Sequence, residues 1–503
     1  MVATAISCAV QGLAGVPVTV EVDVANGLPS FTIVGLTDRA IQEARERVRA
    51  AVRNAGFEFP ARRVTVNLAP AEVPKEGSGF DLAIALALLR TEREMRLDDV
   101  ACIGELALDG GVRGVAGVLP MARRLAASGV RRLIVPAENA SEAALVEGIS
   151  VVGVESLAVA AAHLEGRLHL EPVAAPPLGG GPVPGALDLA TVRGQALAKR
   201  ALEIAAAGRH NLLMLGPPGA GKTMLARAFA GLLPDLGPDD ALEVAALYSL
   251  RGRLADRPPT SLRPPFRSPH HSVSRAGLIG GGAGIAQPGE VSLAHRGVLF
   301  LDEICEFPRS HLEALRQPLE ERRVAVARVR ATVVFPAEFV LIAAANPCPC
   351  GHLGELSGPV CRCPEDAITR YQSRLSGPMR DRIDMMVEVP RLGGEALLSG
   401  SVEEPTALVR GRVAAAQARQ SERGAAIGVT ANALLRGDQL LDVCRLDPGA
   451  RDALTAAGER WQLSARAYHR VLRVGRTIAD LAGEERVGRD AVIEAFQLRG
   501  QAP

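Results

Sequence analysis

Residues 216–223 read GPPGAGKT and fit the pattern G-x-x-x-x-G-K-[ST]. An apolar run, NLLML, precedes them, and MLARAFAGLL with helical periodicity follows. A glycine-rich turn that leaves a buried strand and opens a helix commits this part of the chain to an α/β sheet and a phosphate-binding loop. Glycines let backbone amides close around a β-phosphate, Lys222 reaches the β and γ oxygens, and Thr223 can ligate magnesium. The predicted ATP-binding loop is therefore Gly216, Pro217, Pro218, Gly219, Ala220, Gly221, Lys222 and Thr223, with ATP and Mg2+ as the cofactors.

Two further apolar runs end in residues that suit this chemistry. GVLFLDE (297–303) closes on Asp302, a magnesium ligand with Thr223, and on Glu303, which would activate the attacking water. FVLIAAANP (339–347) delivers Asn346 to its end, where an amide can sense the γ-phosphate. SGPMRDRIDMMVEVP (376–390) sets Arg380 and Arg382 before another apolar strand. Phosphoryl transfer needs a cation on the γ-phosphate, which ring ATPases take from the next subunit; Arg382 is the expected finger and Arg380 the fallback. Near the end, Arg466, Arg470 and Arg473 fall on one helical face, as a solvated or salt-bridged stripe or with Arg466 as a second sensor.

At 503 residues the chain exceeds one hydrophobic core. EPVAAPPLGGGPVPG (171–185) is mostly Pro, Gly and Ala and reads as a linker. Before it, PVTVEVDVA (17–25) and RRVTVNLAP (62–70) alternate as strands, with a helix over 38–56 between them. From about residue 397 the pattern turns helical. The expected units are 1–170, the linker 171–186, an ATPase core 187–394 and a helical module 395–503. Lys plus Arg is 57 against 56 for Asp plus Glu, so any basic surface must be local. The longest plain apolar run, LAIALALL (82–89), is far too short to span a bilayer, and the start has no positive leader. The expected location is the cytoplasm, with reduced cysteines and no membrane partner.

Half of the eight cysteines sit in NPCPCGHLGELSGPVCRC (346–363), directly after the sensor asparagine. Cys348, Cys350, Cys361 and Cys363 can reach a tetrahedral Zn2+, although C-x-C pairs are tighter than the usual knuckles. Buried or hydrogen-bonding thiols and a redox switch are the alternatives. His270 and His271, in a glycine-rich loop, read as loop polars rather than ligands.

LRPPFRSPHHSVSRAGLIGGG (262–282), QPGEVSLAHRGVLFLDE (287–303), LEALRQPLEERRVAVAR (312–328), ANPCPCG (345–351) and SGPMRDRIDMMVEVP together resemble the magnesium-chelatase-like AAA+ ATPases, in their ComM (YifB) branch. The resemblance implies an α/β AAA+ core, a helical lid and a homo-hexameric ring. It also implies a motor that moves branched or single-stranded DNA without sequence preference, in branch migration during natural transformation. A chelatase motor subunit is the alternative within the fold. It further implies pore elements at 268–284 and 324–334, where Arg328 and Arg330 would lie on one strand face and contact phosphates or protect an edge.

The first unit is similar to the Lon protease fold over PKEGSGFDLAIALALL (74–89) and IGELALDGGVRGVAGVLPMARRLAASGVRRLIVPAEN (103–139). Lon-type chemistry needs a Ser nucleophile and a Lys base. The family pattern sets Gly79 and Leu119 at those positions; Ser78 is one residue off register and Lys75 is the only lysine in 1–170. A protease fold without its dyad is expected, as a scaffold for the ring or for DNA, with Arg45, Arg49 and Arg53 on one exposed face. An ATP-dependent protease is the alternative from another class.

Overall fold

A computed structural model describes residues 2–34, 39–72, 75, 77–180, 185–282, 286–327, 332–355, 359–394 and 403–499. The first unit is built on a seven-stranded sheet whose centre is the long hairpin Val2–Gln11 and Ala14–Ala25. Ala14–Ala25 alternates apolar and polar residues and buries Val18, Val20 and Val22 in the period of two of a strand, whereas Val2–Gln11, with Ser7, Cys8 and Ala9 all buried, is covered on both faces. Ala14–Ala25 pairs antiparallel with Arg63–Ala69, and Val2–Gln11 pairs parallel with Val100–Cys102, which continues into Arg132–Pro136 and Ser150–Val154. The helix Asp81–Arg90 is apolar nearly all round because it lies inside this unit, with every residue from Asp81 to Leu89 buried.

The stretch 171–180 carries no helix and only a single bridge at Gly179. After it comes a parallel five-stranded sheet in the order Phe266–Arg267, Val298–Leu301, Val340–Ala345, Leu212–Leu215, Met385–Glu388. The central strands read as unbroken apolar runs because helices cover both faces. The helices Thr406–Gly424, Gly437–Cys444, Pro448–Trp461, Ala465–Ala482 and Arg489–Gln497 follow, and their apolar faces join the core on one side of the sheet. Among the described residues no helix is long and apolar enough to cross a membrane.

The two sheets are joined by a packed contact. Helix Pro238–Leu250 lays Ala245 and Ala246 into an apolar cluster with Val118, Leu119 and Met121 of helix Val118–Ala127. The amide of Gly117 donates to the Ser249 carbonyl at 3.0 Å, and that of Leu119 to the Ser249 hydroxyl at 3.4 Å. Leu119, which the resemblance sets at the Lon lysine position, is thus fully buried beneath the ATPase core. Ser78 donates to Glu105, and the buried Lys75 ammonium donates to the Pro70 carbonyl. Arg45, Arg49 and Arg53 are exposed, with Arg45 paired to Glu46 and Arg49 over the Phe59 ring.

Candidate nucleotide site

The parallel sheet brings its chemical residues to one edge. Leu212–Leu215 lies between Val340–Ala345 and Met385–Glu388, and Val340–Ala345 lies between it and Val298–Leu301. The loop 216–221, Asp302 and Asn346 therefore leave three neighbouring strands at their carboxyl ends, where open α/β sheets bind ligands.

Lys222 starts the helix Lys222–Leu232 and is only 8% exposed. Its ammonium donates to the carbonyls of Gly216 at 2.7 Å and Pro217 at 2.9 Å, and to Asn346 Oδ1 at 3.1 Å. Burial lowers its pKa, opposed by the nearby carboxylates of Asp302 and Glu303. Gly219 and Gly221 have φ of 79° and 92°, which only glycine adopts without strain, so the turn needs both. A methyl group at Gly216 would collide with the Val389 carbonyl, so its glycine serves close packing.

Thr223 Oγ1 donates to Asp302 Oδ2 at 2.8 Å. A hydroxyl and a carboxylate this close form an oxygen pair that fits a hard cation, and Mg2+ there would neutralise phosphate charge. Glu303 is exposed and has a left-handed φ of 47°, a conformation that costs an ordinary residue roughly 1–2 kcal/mol. The strained turn takes its carboxylate out of the strand direction while its amide donates to Asp302 Oδ1 at 3.0 Å.

The arginines lie at the other edge. Arg382 precedes the strand Met385–Glu388, and its carbonyl accepts from Asn211, which precedes Leu212–Leu215. Its guanidinium pairs with Glu320 and donates to the Pro378 carbonyl; its side chain is 9% exposed. Arg380 is exposed and bonded to the Gln372 carbonyl at 3.1 Å. Together with Arg322, Arg436, Arg466, Arg470 and Arg473, Arg382 lines a cleft of about 530 Å³ between the amino ends of the strands and the terminal helices.

The arginine stripe divides on inspection. Arg470 is buried and holds Asp381 at 3.0 Å and the Ile383 carbonyl at 3.1 Å, while Arg473 holds the Leu435 carbonyl at 2.8 Å. Arg466 is exposed at the start of its helix. The stripe is largely a bonded face: Arg470 locks its helix to the ATPase core, and Arg473 ties the same helix to the turn at Leu435 within the terminal module.

The four cysteine sulfurs lie within 4.8 Å of one another, with Cys348 3.4 Å from Cys350 and 3.6 Å from Cys361. The backbone amide of His352, with help from the neighbouring thiols, brings Cys350 down to about 6. His270 bonds to Ser272 at 2.8 Å and stacks on His271, a local loop arrangement. The strands Arg323–Ala327 and Thr332–Pro336 form the expected hairpin, and Val333 packs against Gly12 in the turn of the N-terminal hairpin. Arg328 and Arg330 lie outside the described residues.

Sequence reasoning missed Gln195. It is buried in a left-handed conformation and donates to the carbonyls of Ala220 at 3.3 Å and Pro390 at 2.7 Å, tying the phosphate loop to the strand beside it. The only local signal was the pair Gly194–Gln195 just before a helix. It also missed Arg391, which joins Glu355 of the cysteine loop at 3.3 Å and reaches the Pro218 carbonyl at 3.4 Å.

Known proteins resemble this chain over nearly its whole length. The family of magnesium chelatase, subunit ChlI, matches residues 188–397, with further matches to ChlI sequences over 20–139 and to the ChlI C-terminal region over 403–499. An uncharacterised protein, YifB, of Escherichia coli is 44% identical over 98% of this chain and 96% of its own length. The competence protein ComM of Haemophilus influenzae is likewise 44% identical, over 98% and 96%. A Lon protease of Chloroflexus aurantiacus is 32% identical over 129 residues, 24% of this chain and 16% of its own. The chain belongs to the magnesium-chelatase-like AAA+ ATPase family, in the branch that holds YifB and ComM.

Proposed function

We propose that the chain is an ATP-hydrolysing ring motor, assembled as a homo-hexamer, that moves branched or single-stranded DNA, and that its role is branch migration in recombination during natural transformation. The observation that carries the ring is the separation of charges within one chain. The phosphate loop, Asp302, Glu303 and Asn346 sit at the carboxyl edge of a parallel sheet, and Arg382 and Arg466 sit at the amino edge. The strand between those edges spans four residues, roughly 13 Å. A γ-phosphate held by one copy is thus served by the arginine cleft of the next, with Arg382 as the finger and Arg466 as a second sensor. Asn346, which accepts from Lys222, would reach between the γ-phosphate and the attacking water, which Glu303 would deprotonate.

The DNA part of the reading rests on the ComM relative, whose name ties it to competence, and on the presence of Arg328 and Arg330 in the sequence between Arg323–Ala327 and Thr332–Pro336. A sequence-independent motor needs only phosphate contacts of this kind, and its binding weakens steeply with salt.

The protease alternative is disfavoured by the position of Leu119, buried under helix Pro238–Leu250 where a base would be required. One purified sample separates the two. It is expected to migrate a forked DNA with ATP and to leave casein intact. Casein cleavage that disappears in Ser78→Ala, with the fork unmoved, would replace the motor with a protease.

A further inference from the structure

We propose that Cys348, Cys350, Cys361 and Cys363 hold one structural Zn2+, and that this ion clamps the phosphate loop through the contact between Gly351 and Pro218. Four thiolates around a single tetrahedral zinc with bonds of about 2.3 Å lie about 3.8 Å apart. The sulfurs of Cys348, Cys350 and Cys361 lie 3.4 to 3.6 Å apart and all four lie inside 4.8 Å, close to that spacing and too close to enclose a cluster of several irons. The ligands come from two short segments on either side of a loop, so the ion closes that loop as a staple.

What the staple holds is the nucleotide loop. Gly351, one residue past Cys350, has φ of 84° and lies so close to the Pro218 ring that a methyl group at Gly351 would collide with it. Glu355 of the same loop pairs with His352 at 2.7 Å and with Arg391 at 3.3 Å, and Arg391 reaches the Pro218 carbonyl at 3.4 Å. From below, Gln372 donates to the Pro347 carbonyl at 3.0 Å. The cysteine loop therefore touches the phosphate loop through both a ring contact and a charged bridge. Its anchor, Cys348, is fully buried two residues after Asn346, which itself accepts from Lys222.

The clamp rests on the reading of 216–223 as the nucleotide site; the metal content does not. Protein purified without chelators is expected to carry about one zinc per chain by mass spectrometry, falling below about a tenth in Cys361→Ser/Cys363→Ser. Less than a tenth in the wild type, or iron in place of zinc, overturns the site. Zinc is then stripped from the wild-type protein with a mercurial and a chelator, the thiols are regenerated, and binding of a fluorescent ATP analogue is measured before and after. Affinity is expected to fall at least about tenfold and to return with one equivalent of Zn2+. Equal affinity with and without zinc, or a loss that zinc does not reverse, overturns the clamp. A wild-type holoprotein that binds no nucleotide would instead remove the ATPase reading and leave the metal result standing.

Discussion

Lys222→Ala and Glu303→Gln each lower ATP turnover by at least about 100-fold, about 3 kcal/mol of transition-state stabilisation. The two variants fail differently. Lys222 is the buried cation of the loop, bonded to Gly216, Pro217 and Asn346, so alanine removes the charge that meets the phosphates and frees the loop that it holds. Nucleotide binding is lost along with turnover. Glu303 is exposed at the turn after its strand and bonds no phosphate-loop group, so glutamine leaves binding intact while removing the base. Steady-state phosphate release and equilibrium binding of an ATP analogue separate the two. Unchanged turnover in either variant contradicts the site.

Arg382→Ala is expected to be as severe, although the residue lies at the edge of the sheet remote from its own phosphate loop. Its guanidinium rests on Glu320 and Pro378 in the isolated chain. In the proposed ring it would exchange Glu320 for the neighbour's γ-phosphate, a charge-assisted contact made most strongly as charge develops. Mixing Arg382→Ala with Lys222→Ala forms some interfaces with one intact loop and one intact finger. ATPase activity above that of either variant alone is expected in the mixture. Activity that stays at the sum of the two parents rules out a finger acting between subunits.

The chemical edge of the sheet was legible in the sequence because strand, turn and ligand are contiguous there. NLLML, VLFL and IAAA each lead straight into the candidate residues for the proposed chemistry, and the sheet order aligns those ends. The arginines were legible as candidates but not as roles. Helical spacing sets Arg466, Arg470 and Arg473 on one face, yet only the tertiary fold shows Arg470 buried on Asp381 and Arg473 on Leu435. Contacts between distant segments left still less trace. Gln195 reaching Ala220, Gly351 resting on Pro218, and Ala245 and Ala246 packed against Leu119 are set by packing across many residues, and no period in the sequence encodes them. The cysteine stretch, legible as four potential ligands, gained its connection to the nucleotide loop only from the fold.

The central claim is that ATP hydrolysis at this site drives work on DNA. ATPase rates measured with no DNA, single strands, duplex and four-way junctions test it most directly, at low salt and again at high salt. The account predicts stimulation by DNA, strongest with branched substrates, lost at high salt and absent in Glu303→Gln. An ATPase whose rate is the same with every DNA and with none would contradict it.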